Sequence, residues 1–255
     1  QNNDSTKEMF EDLTRYLLYK TTDKDIYGVD SFDFSIFSPN SFNSVSDIQG
    51  GNAQEMVWYA LRSAGYSEIA TAAAMGNIAN ESGFDSRKVE GQYGNDYSYT
   101  ESVDNGTYTN FIEDKIGYGL CQWTDSGRKG RLYKYAKESQ ENTSIGDIEM
   151  QIQYFLGELN PAGGADGYAK FQMPGNSSSA YNGISYTYND WKDATDVEDA
   201  TWAFMTLFER PNENPGLNHI DRRIEDSKKY YEMYSGRDLD SFKKAEDDSK
   251  EASED

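Results

Sequence analysis

One cysteine and one histidine in 255 residues set the first limits on this protein. Cys121 alone cannot form an internal disulfide or a multi-cysteine zinc site. His219 alone excludes a His-rich metal centre and argues against a Ser-His triad. Positive charge is also short: 24 Lys and Arg stand against 45 Asp and Glu, a net charge of −21. A field of that sign repels phosphate backbones and anionic headgroups, so nucleic acid is not an expected partner. No apolar run approaches the ~20 residues that cross a bilayer, so no membrane span is expected in this chain. The chain opens on Gln1 with no positive-then-apolar leader, which reads as a processed or excised piece of something longer. No metal or cofactor is expected. Chemistry is left to carboxylates, amides and aromatics.

Apolar residues are also sparse, at 36 %, but aromatics reach 14 %, with 20 Tyr and 12 Phe to build a core. The length suits one large domain with flanking segments. Residues 1–49 read as an N-terminal arm. Met9, Phe10, Leu13, Leu17 and Leu18 mark an amphipathic helix, and Phe32, Phe34 and Ile36 alternate like a short strand. Asp23-Lys24-Asp25 starts like a calcium loop, but Tyr27 and Phe34 stand where oxygen ligands are needed, so an arm or linker is the better reading. The stretch 237–255 reads as an acidic tail or linker, with eight acids against three lysines from Asp238 onward.

Between them, residues 50–236 read as one mainly α domain with a small β-hairpin or loop insertion. Asn52 with Glu55 predicts a capped helix, and Val57, Trp58, Leu61 and Ala64 form its apolar face before the stop at Gly65. Ser67 caps an Ala-rich helix running to Asn80. Ser144 with Asp147 opens another helix, and Thr195 with Glu198 a further one that carries Val197, Phe204, Leu207 and Phe208. A last helix covers Ile220 to Tyr234 after the Pro211 to Pro215 loop. Residues 86–116, rich in Gly, Tyr, Asn and Thr with Tyr97 and Tyr99 in alternation, predict a hairpin or long ordered loop.

Two short segments have the chemistry of a site. Glu81 falls where the Ala-rich helix must end, because Gly83 breaks it. The negative end of the helix dipole disfavours an ionised carboxylate there. If Phe84 and neighbouring aromatics also desolvate it, Glu81 becomes a protonated general acid near neutral pH. The second segment, Ile116 to Thr124, packs Gly117, Gly119, Gln122, Tyr118 and Trp123 into nine residues. Glycines let a backbone approach a ligand, aromatic faces suit sugar C–H bonds, and an amide both donates and accepts.

The order of these motifs resembles the phage-tail-type lysozyme family, within the superfamily of goose-type lysozymes and lytic transglycosylases. It consists of Glu81-Ser82-Gly83-Phe84, then Gly117-Tyr118-Gly119-Leu120-Cys121-Gln122-Trp123 with Gly127-Arg128, then Ala203 to Pro211 containing Phe208-Glu209-Arg210-Pro211. The resemblance spans about residues 50–235. It implies a lysozyme-like fold and cleavage of the β-1,4 bond between N-acetylmuramic acid and N-acetylglucosamine in peptidoglycan. It also implies Glu81 as the catalytic acid and Gly119 to Gln122 as a turn lining the sugar groove. Tyr118, Gln122, Trp123 and Phe84 are the expected substrate contacts. Asp125, Asp96, Glu101, Asp104 and Asp114 are the candidates for a second carboxylate. Ala180-Tyr181-Asn182-Gly183 is similar to a transglycosylase motif, although its place in the chain differs.

Three functions follow as expectations. The first is a muramidase, or a lytic transglycosylase that leaves 1,6-anhydro ends. The second is a wall peptidase using Cys121 and His219, which needs a thiolate activated by that histidine. The third is a wall-binding module without catalysis. The acidic balance suggests that something other than charge keeps the protein at an anionic wall: a tail or secretion assembly, an anchor or further domains. An extracytoplasmic location, secreted or associated with a wall or virion, follows from the resemblance.

Overall fold

The computed structural model describes residues 51–92, 94, 96–140, 142–159, 186, 188–209 and 219–239. The expected arm helix and strand, the calcium-like segment, Ala180 to Gly183, Arg210 to Pro215 and the tail beyond residue 239 lie outside the described residues. The described residues are mainly helical: α1 (Gly51–Ser63), α2 (Glu68–Glu81), α3 (Ser98–Asp104), α4 (Ser126–Lys134), α5 (Ile148–Leu159), α6 (Tyr188–Lys192), α7 (Val197–Phe204) and α8 (Ile220–Tyr234). Wider π-type turns extend α4 through Tyr135–Ser139 and α7 through Met205–Glu209. Among the described residues, β-structure is limited to isolated bridges between Val89 and Tyr118 and between Tyr118 and Trp123.

The chain divides into two compact units, with the boundary in α2 between Asn80 and Glu81. One unit holds described residues 81–159, the other residues 51–80 together with 186–239. In the second unit α2 is capped as its sequence indicates, with the Ala70 N–H donating to Ser67 Oγ at 3.0 Å. It approaches α8 tightly at Gly76. A Cβ there would lie 2.0 Å from Ser227 Oγ and 2.5 Å from the Arg223 carbonyl, so only glycine allows this approach. Polar groups then pin the last turns of the helix. Arg223 Nη1 donates to Asn77 Oδ1 at 2.9 Å, and Asn80 Nδ2 donates to Asp226 Oδ2 at 2.8 Å. Asn77 is fully buried, so its bonds to the Ala73 and Thr201 carbonyls also satisfy groups that burial would otherwise penalise.

Several local expectations move by a few residues. The helix α1 begins at Gly51, which puts Asn52 inside its first turn rather than before it. Asp147, not Ser144, caps α5, accepting from the Met150 N–H at 2.8 Å. Burial raises the Asp147 carboxyl above its ordinary value. Asp196, not Thr195, caps α7 by accepting from Glu198 and Asp199 N–H. In each case an aspartate next to the helix outcompeted a hydroxyl one or more residues earlier, because its carboxylate reaches two or three residues ahead. Among its described residues, the stretch 86–116 forms no hairpin of its own and is loop around the short helix α3. Tyr97 stands just before α3 and Tyr99 lies within it, so their alternation was not a strand signal.

Candidate functional site

Glu81 is the last residue of α2 and is half-buried. Gly83 ends the helix as expected, with φ of 64°, but Phe84 repeats the left-handed conformation at 67°. A bulky residue rarely adopts this conformation and is held there only by surrounding structure. The holding contact is visible: Phe84 is 2 % exposed, and its N–H donates to Ser82 Oγ at 3.1 Å. The chain therefore turns sharply just after Glu81.

The turn continues into a segment that pairs with the glycine-rich motif. Glu90 N–H donates to the Gly117 carbonyl and Gly119 N–H to the Lys88 carbonyl, both at 2.8 Å. Tyr118 and Trp123 exchange backbone hydrogen bonds at 3.2 and 2.9 Å, closing Gly119 to Gln122 into a tight loop. Two residues of that loop need positive φ, Gly119 at 74° and Gln122 at 43°. Below the loop lies Gln151, fully buried on α5. Its Oε1 accepts from Leu120 N–H at 3.0 Å, and its Nε2 donates to the Ser86 and Ile145 carbonyls at 2.6 and 2.7 Å. One amide thus ties the segment after Glu81 to the glycine-rich loop and to the entry of α5. Gln151 has no role in the sequence reading; its polar side chain within the apolar stripe of α5 is the signal that marks it.

The expected aromatic contacts are redistributed. Tyr118 and Trp123 are 0 % exposed, and with Phe84 they belong to the interior of this unit. Trp123 Nε1 donates to Glu158 Oε2 at 2.9 Å, and Arg128 clamps the same carboxylate from Nε and Nη2 at 2.8 and 2.6 Å. The Tyr118 hydroxyl is 2.7 Å from Thr100 Oγ1. Rings enclosed this way support the loop and present no face to a sugar. Burial also raises the Tyr118 hydroxyl well above its ordinary value, so it stays protonated. Gln122 is the expected contact that remains partly open.

Around Gly117 three side-chain oxygens converge. A Cβ added there would lie 2.9 Å from Gln122 Oε1 and 3.3 Å from both Glu90 Oε2 and Thr124 Oγ1. Gln122 Nε2 donates to the Lys88 and Gly119 carbonyls at 3.2 and 3.0 Å, which leaves its Oε1 directed at Gly117. Glu90 Oε2 accepts from Gly117 N–H at 2.9 Å. Glu90 and Thr124 are exposed at the surface.

The five candidate carboxylates do different things. Asp114 is enclosed, accepting from Lys129 Nζ and Tyr99 OH at 2.5 Å each and from Ile116 N–H at 2.9 Å. Burial pushes its carboxyl up, but Lys129, Tyr99 and the Ile116 N–H more than reverse this and leave it below the ordinary value. Asp104 holds Lys137 Nζ at 2.8 Å, Ser144 Oγ at 2.5 Å and Ile145 N–H at 2.9 Å. Asp125 caps α4 by accepting from Gly127 and Arg128 N–H at 3.0 and 3.2 Å. Asp96 is exposed, and the Ser98 N–H lowers its carboxyl. Glu101 is exposed on α3. Asp104 and Asp114 are therefore ion-paired supports. Cys121 is 2 % exposed in the core, where a thiolate is disfavoured, while His219 is an exposed residue with φ of 51° before α8. Among the described residues, no cluster of His, Cys, Asp and Glu is arranged to hold a metal ion, and no helix is long and apolar enough to cross a membrane.

Compared with known families, residues 52–234 match the family model described as phage tail lysozyme, which is well over half of the chain. A search of curated proteins gave no match.

Proposed function

This chain belongs to the phage tail lysozyme family, and from that premise we propose that it cuts the β-1,4 bond between N-acetylmuramic acid and N-acetylglucosamine with Glu81 as general acid. Membership supports a peptidoglycan-degrading enzyme; the bond and the acid are our reading. The observation that carries it is the arrangement of two segments. A half-buried glutamate ends α2, and the chain after it pairs with the loop containing Gln122. In this reading Glu81 gives its proton to the glycosidic oxygen as the bond to the anomeric carbon breaks. Gln122 meets the sugar, while Phe84, Tyr118 and Trp123 hold the turn. The partner is the peptidoglycan glycan strand. The site of action is extracytoplasmic, at a wall or on a virion, and further domains or a tail assembly supply the attachment that the acidic chain does not.

Two measurements on purified walls test this. Glu81→Gln keeps the shape of the side chain but removes the transferable proton, and glycan cleavage is expected to fall by at least ~10² with the fold intact. Near-full activity in a folded Glu81→Gln protein would reject the acid. Mass spectrometry of the released muropeptides identifies the reaction. Reducing N-acetylmuramic ends are expected. Anhydro ends would make the protein a lytic transglycosylase, cut peptides would revive the Cys121 and His219 peptidase, and no product at all would leave a binding module.

A further inference from the structure

The glycine-rich loop rests on polar side chains that α5 carries among apolar ones. Gln151 and Glu158 stand about two helical turns apart on α5, and both are buried. Glu158 holds the end of the loop by accepting from Trp123 Nε1 at 2.9 Å. Gln151 holds its start, with Oε1 accepting from the Leu120 N–H at 3.0 Å. The approach there is close. A Cβ on Gly119 would lie 2.5 Å from Gln151 Oε1 and 2.8 Å from its Nε2, so the loop backbone lies directly against the amide.

The same amide fixes the segment that follows Glu81. Its Nε2 donates to the Ser86 carbonyl at 2.6 Å and to the Ile145 carbonyl at 2.7 Å. Ser86 Oγ donates to the Gly146 carbonyl at 2.6 Å, which ties that segment to the entry of α5 a second time. One acceptor and two donors are thus needed at a single buried point, and a primary amide supplies that set without charge. Gln122 depends on both of the segments so joined. Its Nε2 donates to the Lys88 carbonyl, just beyond Ser86, and to the Gly119 carbonyl, just before Leu120. Its backbone sits at a positive φ of 43°, a conformation that persists only where the surrounding structure enforces it. A shift of Leu120 relative to Ser86 therefore changes where the Gln122 side chain points.

We propose that Gln151 is a positioning residue for the glycan: buried away from the sugar, it sets the aim of Gln122 by holding the Ser86 segment and the Leu120 end of the loop in register. This rests on the reading of Gln122 as a sugar contact in a glycan-cleaving enzyme. It does not depend on which carboxyl group serves as the acid.

The test is a double-mutant cycle of Gln151→Met with Gln122→Ala. It is read as the initial rate of cleavage of purified peptidoglycan at low substrate, with thermal melting of each protein. Methionine has nearly the length of glutamine and makes none of these hydrogen bonds. In the parent background Gln151→Met is expected to cost at least about tenfold, because a misplaced contact loses rate without touching the chemistry. In the Gln122→Ala background the same change is expected to cost less than about twofold, because the side chain it aims is gone. A merely structural role would give equal losses in both backgrounds.

Gln151→Glu keeps the question open to test if Gln151→Met does not fold. It preserves the shape and the acceptor, but an ionised carboxylate cannot donate to the Ser86 and Ile145 carbonyls. Its rate relative to the parent is expected to rise as pH falls and the buried carboxyl gains a proton to donate. That rise is expected to vanish when Gln122 is alanine. A pH response that survives Gln122→Ala would overturn the proposal. So would equal losses from Gln151→Met in both backgrounds, or a folded Gln151→Met within about twofold of the parent. A Gln122→Ala protein at the parent rate would remove the sugar contact and the positioning with it. Glu81→Gln, assayed alongside, separates this proposal from the assignment of the acid. Coupling of Gln151 to Gln122 beside an active Glu81→Gln keeps the positioning and rejects the acid. Independent losses beside an inactive Glu81→Gln reject the positioning and keep the acid.

Discussion

Trp123 Nε1 donates to Glu158 Oε2 at 2.9 Å, and that carboxylate is simultaneously held by both arms of Arg128. The indole packs edge-on to Tyr154, with ring centroids 5.3 Å apart. An aromatic in the glycine-rich loop is thereby committed to the interior, and the loop is fastened to α4 and α5 through one buried anion.

Trp123→Ala is expected to cost about 3–5 kcal/mol of stability, as for other large aromatics removed from a core. It also takes a donor from the buried Glu158. Chemical denaturation checks this. A protein that kept its midpoint and only bound glycan more weakly would return Trp123 to the sugar groove.

Asp114 and Lys129 form a pair with side-chain exposures of 4 % and 0 %. Asp114→Asn leaves the buried ammonium without its counter-charge, and a loss of about 3–5 kcal/mol is expected. The Asp114 carboxyl lies below its ordinary value in the fold. Its contribution is therefore present above the unfolded value of about 3.9 and is lost as pH falls through the folded one. The difference in midpoint between parent and Asp114→Asn should shrink steadily below about pH 4. A difference that stayed constant into strong acid would assign the effect to packing.

Gly76→Ala should destabilise the protein even though alanine is the better helix former by about 1 kcal/mol. The new Cβ would meet the Arg223 carbonyl at 2.5 Å, which is backbone and cannot swing away. Overpacking of this kind costs about 1–3 kcal/mol. A rise in thermal midpoint would show that α2 and α8 are not so close.

A chain cut to residues 50–236 is expected to fold and to cleave glycan, since its capping groups and apolar faces lie inside those limits. The cut also keeps the Gly236 N–H bond to Glu68 Oε1 at 2.8 Å. Aggregation would mean that the segment from Met9 to Leu18 belongs to the core.

What the sequence determined by itself was local. The Ser67 cap and the stop at Gly83 follow from residues within one turn of the helix ends. The mainly α class was legible for the same reason. Tertiary structure decided everything that depends on partners far along the chain. Only the fold could bring Glu158 to Trp123 and Lys129 to Asp114, and so bury an expected sugar contact and pair a candidate second carboxylate. It also brought Glu90 to Gly117, 27 residues away, through a hydrogen bond that no periodicity announces. Spacing says which side chains share a helix face. Whether a ring or a carboxylate ends at the surface or in the interior depends on what the rest of the chain packs against it.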